Sequence, residues 1–397
     1  MNNKLAVVGL GYVGLPLAIS AVRAGYETIG IDLDLKKIDL INQGISPIED
    51  ITNEEISQLT RNELFRLTTN FKKIELVNVI LICVPTPLGG DRMPDLTILE
   101  SALISIAQHL NKGSLLILES TVAPGTTRNT LASIIMQNSH LKVNDFEIAF
   151  SPERIDPLNL NWGVENTPKL VAGLTPKALE SAVQFYSKFV KTIVKCESLE
   201  IAESAKLLEN TFRMINISFI NEFSILCNRL GIDVIKVINA ASTKPYGYMP
   251  FYPSVGIGGH CIPVDPLYLA HKAKEVGAPH SFIDLADAIN QQMPGYFVNQ
   301  AIEMIGNLKR KRILVVGISY KPNVSDVRET SVEILIRNLK QKGAHVSWHD
   351  DLVKEWKGEK SVDLSSEYDL AILATPHDYL DLTKLDDVPI LNTRGSI

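Results

Sequence analysis

Cysteine is scarce in this sequence and forms no recognisable motif. The four cysteines, Cys83, Cys196, Cys227 and Cys261, lie far apart and include no CxxC pair. Disulfide frameworks and zinc sites are built from closely spaced cysteines, so we predict neither and expect no metal. Isolated cysteines suit a reducing compartment, and we expect a cytoplasmic protein.

Long apolar runs and an excess of positive charge are also absent. No segment reaches the roughly 18 consecutive apolar residues of a membrane helix. The 39 lysines and arginines are outnumbered by 45 acidic residues, so the net charge is −6. We therefore expect no membrane segment and no nucleic-acid partner.

The length and the order of patterns indicate a multidomain α/β protein. The 397 residues, 45% of them hydrophobic, are enough for two or three domains with proper cores. Strand-like runs alternate with helical patterns at both ends of the chain, and helical patterns alone fill the middle. We predict two Rossmann-like parallel-sheet domains, residues 1–195 and 309–397, joined by a central all-α domain with a long helix, residues 196–308.

The first domain opens with a dinucleotide-binding fingerprint. A predicted apolar strand at Lys4–Val8 leads into Gly9, Gly11 and Gly14, a helical pattern follows, and a second predicted strand at Glu27–Ile31 leads into Asp32. Gly9 is expected to make the turn, Gly11 to admit a pyrophosphate at the helix N-terminus, and Gly14 to let helix and strand pack closely. Asp32 is expected to bind the adenosine ribose, which favours NAD over NADP. The pattern predicts a nicotinamide or flavin dinucleotide.

Later strands of this domain end in polar residues. Thr86, Thr121 and Glu153 each follow an apolar strand, at the edge where parallel sheets bind ligands. Glu153 has the chemistry of a general base or of a group that orders a water. Each also has a plain structural explanation, as a cap, a turn residue or a solvated loop residue. Cys83, inside one strand, is interpreted as a core residue.

The central domain carries a long amphipathic helix, predicted to run to about Arg229. Lys206, Asn210 and Arg213 recur at helical spacing on one side, as functional groups or as an ordinary solvated face. The opposite face is predicted to be apolar: Ile201, Leu208, Phe212, Ile215 and Phe219.

A glycine- and proline-rich loop follows, over residues 251–266. Its glycines allow close backbone approach and its prolines stiffen it. A cysteine on such a loop, Cys261, is a candidate nucleophile, with Asp265 four residues on. The alternative is a tight turn that buries the cysteine as a small hydrophobe.

The third domain repeats the α/β pattern without the three-glycine fingerprint, so it need not bind a dinucleotide. Lys321, Arg328 and Arg394 fall at predicted strand ends or helix starts. Together they are candidates to surround anionic phosphates, while each alone is an ordinary surface cation.

Seven motifs in order, GLGYVGLP, VPTP, ESTVAPGT, SPER, AESAKLLENTFR, GIGGHCIPVDP and SYKPNVSDVRETS, span nearly the whole chain. This series resembles the UDP-glucose/GDP-mannose dehydrogenase family, NAD-dependent enzymes that oxidise a sugar C6 alcohol twice, to a carboxylate. The chain looks nearest to the UDP-N-acetylglucosamine/UDP-N-acetylmannosamine 6-dehydrogenases. Where the UDP-glucose branch has a serine and a lysine, this chain has His260 and Val264.

The resemblance implies a role for each candidate. Cys261 would trap the aldehyde as a thiohemiacetal and then carry a thioester, and Lys206 with Asn210 would stabilise the alkoxide-like oxygen. Asp265 and Thr121 would position water and share protons with Lys206, and Glu153 would assist hydrolysis. NAD would be held by Gly9, Gly11, Tyr12, Val13, Gly14, Asp32, Thr86, Thr121 and Arg328. The nucleotide-sugar would be held by Glu153, Arg154, Lys206, Asn210, Arg213, Tyr252, Gly259, Tyr320, Lys321 and Arg394.

The resemblance also implies the partners and the pathway. The substrate would be a UDP-N-acetylhexosamine, UDP-GlcNAc or UDP-ManNAc, and the product would serve surface polysaccharide synthesis. The first domain would bind NAD, the helical domain would form a homodimer, and the last would bind the UDP-sugar. Relatives often read Tyr-Pro-Gly-Pro-Gly where this chain has Ser254 and Val255 in place of the first Gly-Pro pair, which bears on loop mobility and on the sugar.

Three alternatives stay open. UDP-glucose or GDP-mannose is the substrate in other branches of the family. A two-electron hydroxyacid or 6-phosphogluconate-type dehydrogenase also joins a Rossmann domain to helices, but it needs neither the cysteine loop nor a second α/β domain. A non-catalytic nucleotide-sugar sensor is disfavoured by the intact set of Cys261, Lys206, Asn210 and Asp265.

Overall fold

The computed structural model describes residues 3–156, 159 and 161–395. It confirms the predicted fold class, a mixed α/β protein with parallel sheets and a long central helix. Residue contacts group the chain into two compact units: unit 1 is Met1–Glu209 with Leu267–Val276, and unit 2 is Asn210–Pro266 with Gly277–Ile397. The limits of the three domains stay a prediction.

The elements follow the order of the sequence patterns. The helices are α1 (Gly14–Arg23), α2 (Leu35–Asn42), α3 (Asn53–Arg61), α4 (Thr97–Ala107), α5 (Ala132–Asn138), α6 (Pro176–Tyr186), α7 (Leu199–Arg229), α8 (Val234–Ala241), α9 (Asp265–Glu275), α10 (Ser281–Ile305) and α11 (Ser331–Gln341). The strands are β1 (Lys4–Val8), β2 (Glu27–Ile31), β3 (Phe65–Thr68), β4 (Val79–Ile82), β5 (Leu115–Leu118), β6 (Glu147–Phe150), β7 (Lys169–Gly173), β8 (Ile193–Lys195), β9 (Arg312–Val316), β10 (His345–His349), β11 (Glu355–Trp356), β12 (Glu359–Lys360), β13 (Leu370–Leu373) and β14 (Ile390–Asn392).

Unit 1 is built on one sheet in the order β3-β2-β1-β4-β5-β6-β7-β8. Its first six strands are parallel and have the order of a doubly wound dinucleotide-binding fold. Leu5 and Val7 pack into one core, while Ala6 and Val8 pack into another. Both faces of the sheet are therefore buried, which explains the continuous apolar runs of its strands. The parallel arrangement of the sheet is interrupted once, where β7 pairs antiparallel with β6.

Unit 2 contains a smaller parallel sheet in the order β10-β9-β13-β14, together with the hairpin β11-β12. Its core includes Val255 from the cysteine loop, packed in the same cluster as Phe297 of α10 and Val315 of β9. The loop is thus fixed to the unit by its own apolar residue. Among the described residues, no helix has the length and hydrophobicity to cross a membrane.

The long helix α7 exposes most of the apolar face that the sequence predicts. Ile201, Leu208, Phe212 and Phe219 are between 46% and 64% exposed. The buried residues lie on the other side of the helix and include Leu207, Met214 and Ser218, whose hydroxyl donates a hydrogen bond to the Ala286 carbonyl at 2.8 Å. Periodicity identifies the apolar face correctly but does not say what covers it.

Candidate active site

The glycine loop after β1 has the shape that a dinucleotide requires. Gly9 has φ +91°, and a Cβ on it would lie 2.8 Å from the Cys83 carbonyl oxygen. A Cβ on Gly14 would lie 1.9 Å from the Gly9 oxygen, whereas one on Gly11 would meet no described atom within 4 Å. Packing therefore demands glycine at the first and third positions. The second leaves the open backbone surface that a pyrophosphate needs.

Asp32, directly after β2, closes this loop. Its Oδ2 accepts a hydrogen bond from the Leu10 amide at 2.8 Å and forms an ion pair with Lys37 at 2.6 Å. Its Oδ1 accepts a hydrogen bond from the Asp34 amide at 3.0 Å. Burial alone would raise the pKa of Asp32, but these donors hold it below the ordinary value. Lys37 was not among the predicted site residues. Tyr12 and Val13 pack partly buried against the sheet core.

The loops after β4 and β5 are tied together at the carboxyl edge of the sheet. Thr86 donates its hydroxyl proton to the Thr121 carbonyl at 2.7 Å, and Ser120 donates to the Val84 carbonyl at 2.6 Å. Tyr268 of α9 donates to the Thr86 carbonyl at 3.0 Å. The structure thus brings Thr86 and Thr121 together and uses the Thr86 hydroxyl in loop structure. Cys83 is buried, as predicted, and burial raises its pKa.

Glu153 and Arg154, predicted to bind substrate, are both held by their own unit. Glu153 accepts hydrogen bonds through Oε1 from the Arg154 and Ile155 amides, at 2.6 and 2.8 Å. The Arg154 guanidinium pairs with both Glu209 oxygens, at 2.7 and 3.1 Å, and donates to the Pro168 carbonyl. This segment is therefore rigidly oriented after β6.

The predicted nucleophile lies next to the start of α9. Asp265, the first residue of that helix, is only 3% exposed, and its amide donates to the Cys261 carbonyl at 2.8 Å. Asn210 of α7 donates a side-chain hydrogen bond to Asp265 Oδ2 at 2.6 Å. Cys261 itself is exposed. Three of the predicted residues are thus brought together, and half-buried Lys206 precedes Asn210 by about one turn of α7.

The glycines of the cysteine loop are required by contacts inside unit 2. A Cβ on Gly256 would lie 2.6 Å from Ser331 Oγ, and one on Gly259 would lie 3.0 Å from the Tyr320 ring. Gly259 and Tyr320, both predicted to hold the sugar nucleotide, are therefore neighbours. Tyr252 is half exposed.

Two buried asparagines hold this loop, and sequence reasoning missed both. Asn221 of α7 accepts a hydrogen bond from the Ser254 amide at 2.8 Å, and Asn290 of α10 accepts one from the Ile257 amide at 2.5 Å. The signal for them was weak, since each is a single polar residue inside a helical pattern. Ser254 and Val255 lie in this restrained part of the loop, because Val255 is buried in the core.

The three cations predicted to surround phosphates lie on separate segments of unit 2. Lys321 follows β9 and Arg394 follows β14, where burial lowers the pKa of Arg394. Arg328 precedes α11 and pairs with Asp326 at 2.6 Å. Arg213, on α7, is exposed. In the part of the chain that is described, no group of three or more His, Cys, Asp or Glu side chains is arranged to hold a metal.

The strand order and the glycine loop of unit 1 define an α/β protein of the dinucleotide-binding class. Models of the UDP-glucose/GDP-mannose dehydrogenase family match its NAD binding domain at residues 3–190, its central domain at 200–292 and its UDP binding domain at 314–394. The chain belongs to this family, and its cofactor is NAD.

Individual relatives agree along nearly the full length. A UDP-N-acetyl-D-glucosamine 6-dehydrogenase of Pseudomonas aeruginosa is 36% identical, over 94% of this chain and 87% of the relative. A UDP-N-acetyl-D-mannosamine dehydrogenase of Pyrococcus horikoshii is 33% identical, over 92% and 89%. A solved structure of a UDP-D-ManNAc dehydrogenase from Pyrococcus horikoshii has a TM-score of 0.90 at 30% identity, covering 98% of this chain and 95% of that one.

Proposed function

We propose that the protein oxidises the C6 hydroxyl of a UDP-N-acetylhexosamine to the uronic acid, in two NAD-dependent steps. The observation that carries the proposal is the exposed Cys261, whose carbonyl accepts the amide of buried Asp265, the acid that pairs with Asn210, because a two-electron dehydrogenase has no use for a nucleophile. The names of the relatives support the sugar class, and UDP-N-acetylglucosamine is our first choice. The scattered cysteines suit a reducing compartment and so support a cytoplasmic enzyme, and the likeness to the family supports a role in making polysaccharide precursors.

Each step of the proposed reaction has a candidate residue. Gly9, Gly11, Gly14 and Asp32 would hold NAD, which would supply the hydride acceptor for both oxidations. Cys261 adds to the aldehyde carbon, so that the second oxidation yields a thioester that water then cleaves. Lys206 and Asn210 stabilise the developing oxyanion as donors. Asp265 and Thr121 exchange protons with Lys206, and Glu153 assists the water.

A panel of nucleotide-sugars tests the substrate. We expect kcat/KM, followed by NADH release, to be highest for UDP-GlcNAc or UDP-ManNAc and at least tenfold lower for UDP-glucose and GDP-mannose, since one unmatched polar contact is worth about 1–3 kcal/mol. A preference for UDP-glucose or GDP-mannose moves the protein to the corresponding branch.

Substitution of the thiol tests the mechanism. Cys261→Ser is expected to lower acid formation by roughly a thousandfold, because the covalent route is lost. Cys196→Ser is the matched control: this cysteine is partly exposed but outside the loop, so wild-type rates are expected. Full steady-state turnover to the acid by Cys261→Ser rejects the covalent mechanism.

The exposed face of α7 supports a homodimer. Leu226 and Leu230 extend the line of exposed apolar residues begun by Leu208, Phe212 and Phe219. A continuous apolar stripe of this length is characteristic of an interaction surface. Light scattering is expected to give a dimer for the wild type and a monomer for Phe219→Glu. The control Leu352→Glu, at another exposed leucine, is expected to stay dimeric, and a monomeric wild type contradicts the proposal.

A further inference from the structure

A charged cluster is buried in unit 1, and none of its members has a role in the chemistry above. We name it the buried triad: Glu119, Lys169 and Tyr186, which are 1%, 6% and 0% exposed. Lys169 Nζ lies 2.8 Å from Glu119 Oε2, and the Tyr186 hydroxyl donates to Glu119 Oε1. Burial of charged groups is costly even when they are paired, so a structural role alone is a weak explanation for the triad.

Lys169 also faces the carboxylate of Glu153. Its Nζ lies 3.6 Å from Glu153 Oε2. The pairing of Phe150 with Ala172 in the antiparallel strands β6 and β7, continued by three residues, puts position 153 opposite position 169. The reversal of β7 therefore delivers an ammonium group to the carboxyl edge of β5 and β6, where the predicted site residues lie.

The two oxygens of Glu153 have different surroundings. Oε1 accepts both backbone amides that follow it, from Arg154 and Ile155. Oε2 has Lys169 as its ion-pair partner at a longer distance, and so keeps lone-pair capacity for a water molecule. The two amides hold Oε1, and the positive charge of Lys169, which Glu119 keeps in place at 2.8 Å, lies on the side of Oε2.

We propose that Lys169, anchored by Glu119 and Tyr186, is a positioning residue that holds the Glu153 carboxylate for its proposed part in thioester hydrolysis. This inference rests on the proposed function. In the step, the water oxygen bonds to the acyl carbon and the carbon–sulfur bond breaks. One water proton passes to Glu153 Oε2 and then to the departing thiolate, so acid and free thiol form without an oxidant.

The test is the double variant Glu119→Gln/Lys169→Met, which avoids leaving an unpaired carboxylate in the core. We expect a folded protein whose kcat falls roughly 10–100-fold, the range for a weakened general base. Its KM for the UDP-sugar should stay within about threefold, because neither substituted residue is predicted to contact the substrate. The decisive readout is intact mass after rapid quenching, where an acyl adduct on Cys261 is expected to accumulate.

Two controls separate positioning from stability. Lys177→Met removes an ion pair with Glu147 on the same sheet without touching Glu153, and it should show no adduct. Glu119→Gln alone weakens the anchor of Lys169 but keeps its ammonium group beside Glu153, so its hydrolysis should fall less than that of the double variant.

The outcomes distinguish the inference from the proposed function. A folded double variant that hydrolyses at the wild-type rate, or that loses activity without any adduct, overturns the inference alone. If the wild type releases no NADH with any UDP-sugar, the proposed function fails first and the inference falls with it.

Discussion

The two α/β regions of the chain use the same device and put it to different ends. After β1, the Leu10 amide donates to Asp32 Oδ2 at 2.8 Å; after β9, the Ile318 amide donates to Asp350 Oδ2 at 2.9 Å. In each case the acid directly follows the neighbouring parallel strand, β2 or β10. An aspartate at this position therefore first closes the loop of a βαβ unit.

The difference lies in what remains for a ligand. Asp350 is 1% exposed, and its Oδ1 accepts the Leu352 and Val353 amides and contacts His377 Nε2, each at 3.0 Å. Asp32 instead shares its site with Lys37, beside the open backbone at Gly11. A strand-end acid thus predicts a ribose site only where its oxygens stay reachable.

The glycines that begin the two loops should show the largest effects. A Cβ on Gly317, at φ +79°, would lie 1.9 Å from the Thr375 carbonyl oxygen, against 2.8 Å from Cys83 for Gly9. We expect Gly317→Ala to cost about 3–5 kcal/mol of unfolding free energy and Gly9→Ala about 2–3, from left-handed strain plus overpacking. Urea denaturation measures both, and equal costs would remove this distinction between the loops.

The two aspartates should separate stability from binding. Asp350→Asn turns an amide toward buried donors, so we expect a loss of about 2–3 kcal/mol in unfolding free energy. Asp32→Asn should lower the unfolding free energy by only about 1 kcal/mol. It should, however, weaken NAD binding roughly 10–100-fold and reduce the preference for NAD over NADP. Urea denaturation and NAD titration are run on both variants. A large loss of NAD affinity in Asp350→Asn would contradict the assignment of Asp350 to loop structure alone.

The buried acids of the two regions should respond to pH with opposite sign. Burial raises the pKa of Glu119 to about 7, from an ordinary 4.5, despite Lys169. Its contribution to stability is therefore full below 4.5 and is lost as pH rises through 7. The unfolding free energy of Glu119→Gln, relative to that of the wild type, should therefore rise by about 2–3 kcal/mol between pH 5 and pH 8, as measured by urea denaturation.

Asp350 supplies the contrast to Glu119. Burial alone would raise the pKa of Asp350, but hydrogen bonds from His377 and backbone amides lower it. Its contribution is present above the ordinary value and is lost only as pH falls through the lowered pKa. The unfolding free energy of Asp350→Asn, relative to that of the wild type, is therefore expected to stay constant between pH 5 and pH 8. A rise like that of Glu119→Gln would contradict a lowered pKa for Asp350.

The smallest effect is expected at Lys37, the surface partner of Asp32. Its side chain is 26% exposed, and partly solvated ion pairs contribute at most about 1 kcal/mol. Lys37→Met should therefore shift the unfolding free energy by less than about 1 kcal/mol and the KM for NAD by a few-fold. Thermal denaturation and steady-state kinetics check both, with Lys36→Met, on the neighbouring exposed residue, as control.

Local patterns predicted the fold well. The run of apolar residues predicted β1 and β2 with the observed bounds, and Gly9, Gly11 and Gly14 were recognised because their spacing alone defines the turn. These features depend on residues within about thirty positions of one another. The fold class followed from repeating them.

The supporting residues were not predictable, because they depend on chain reversals far along the sequence. Lys169 meets Glu119 across 50 positions, and only because β7 runs antiparallel to β6. Asn290 reaches the cysteine loop from α10, 33 positions away from Ile257. The exposure of the apolar face of α7 was also unpredictable, because periodicity does not identify what covers an apolar stripe.

The proposed reaction is a four-electron oxidation through one thiol. The most direct measurement is the amount of NADH formed for each UDP-N-acetylhexosamine consumed, with the sugar product identified by mass. We predict two NADH and a uronic acid, with no free aldehyde released. One NADH per sugar, with an aldehyde or ketone as the final product, would rule out the four-electron reaction.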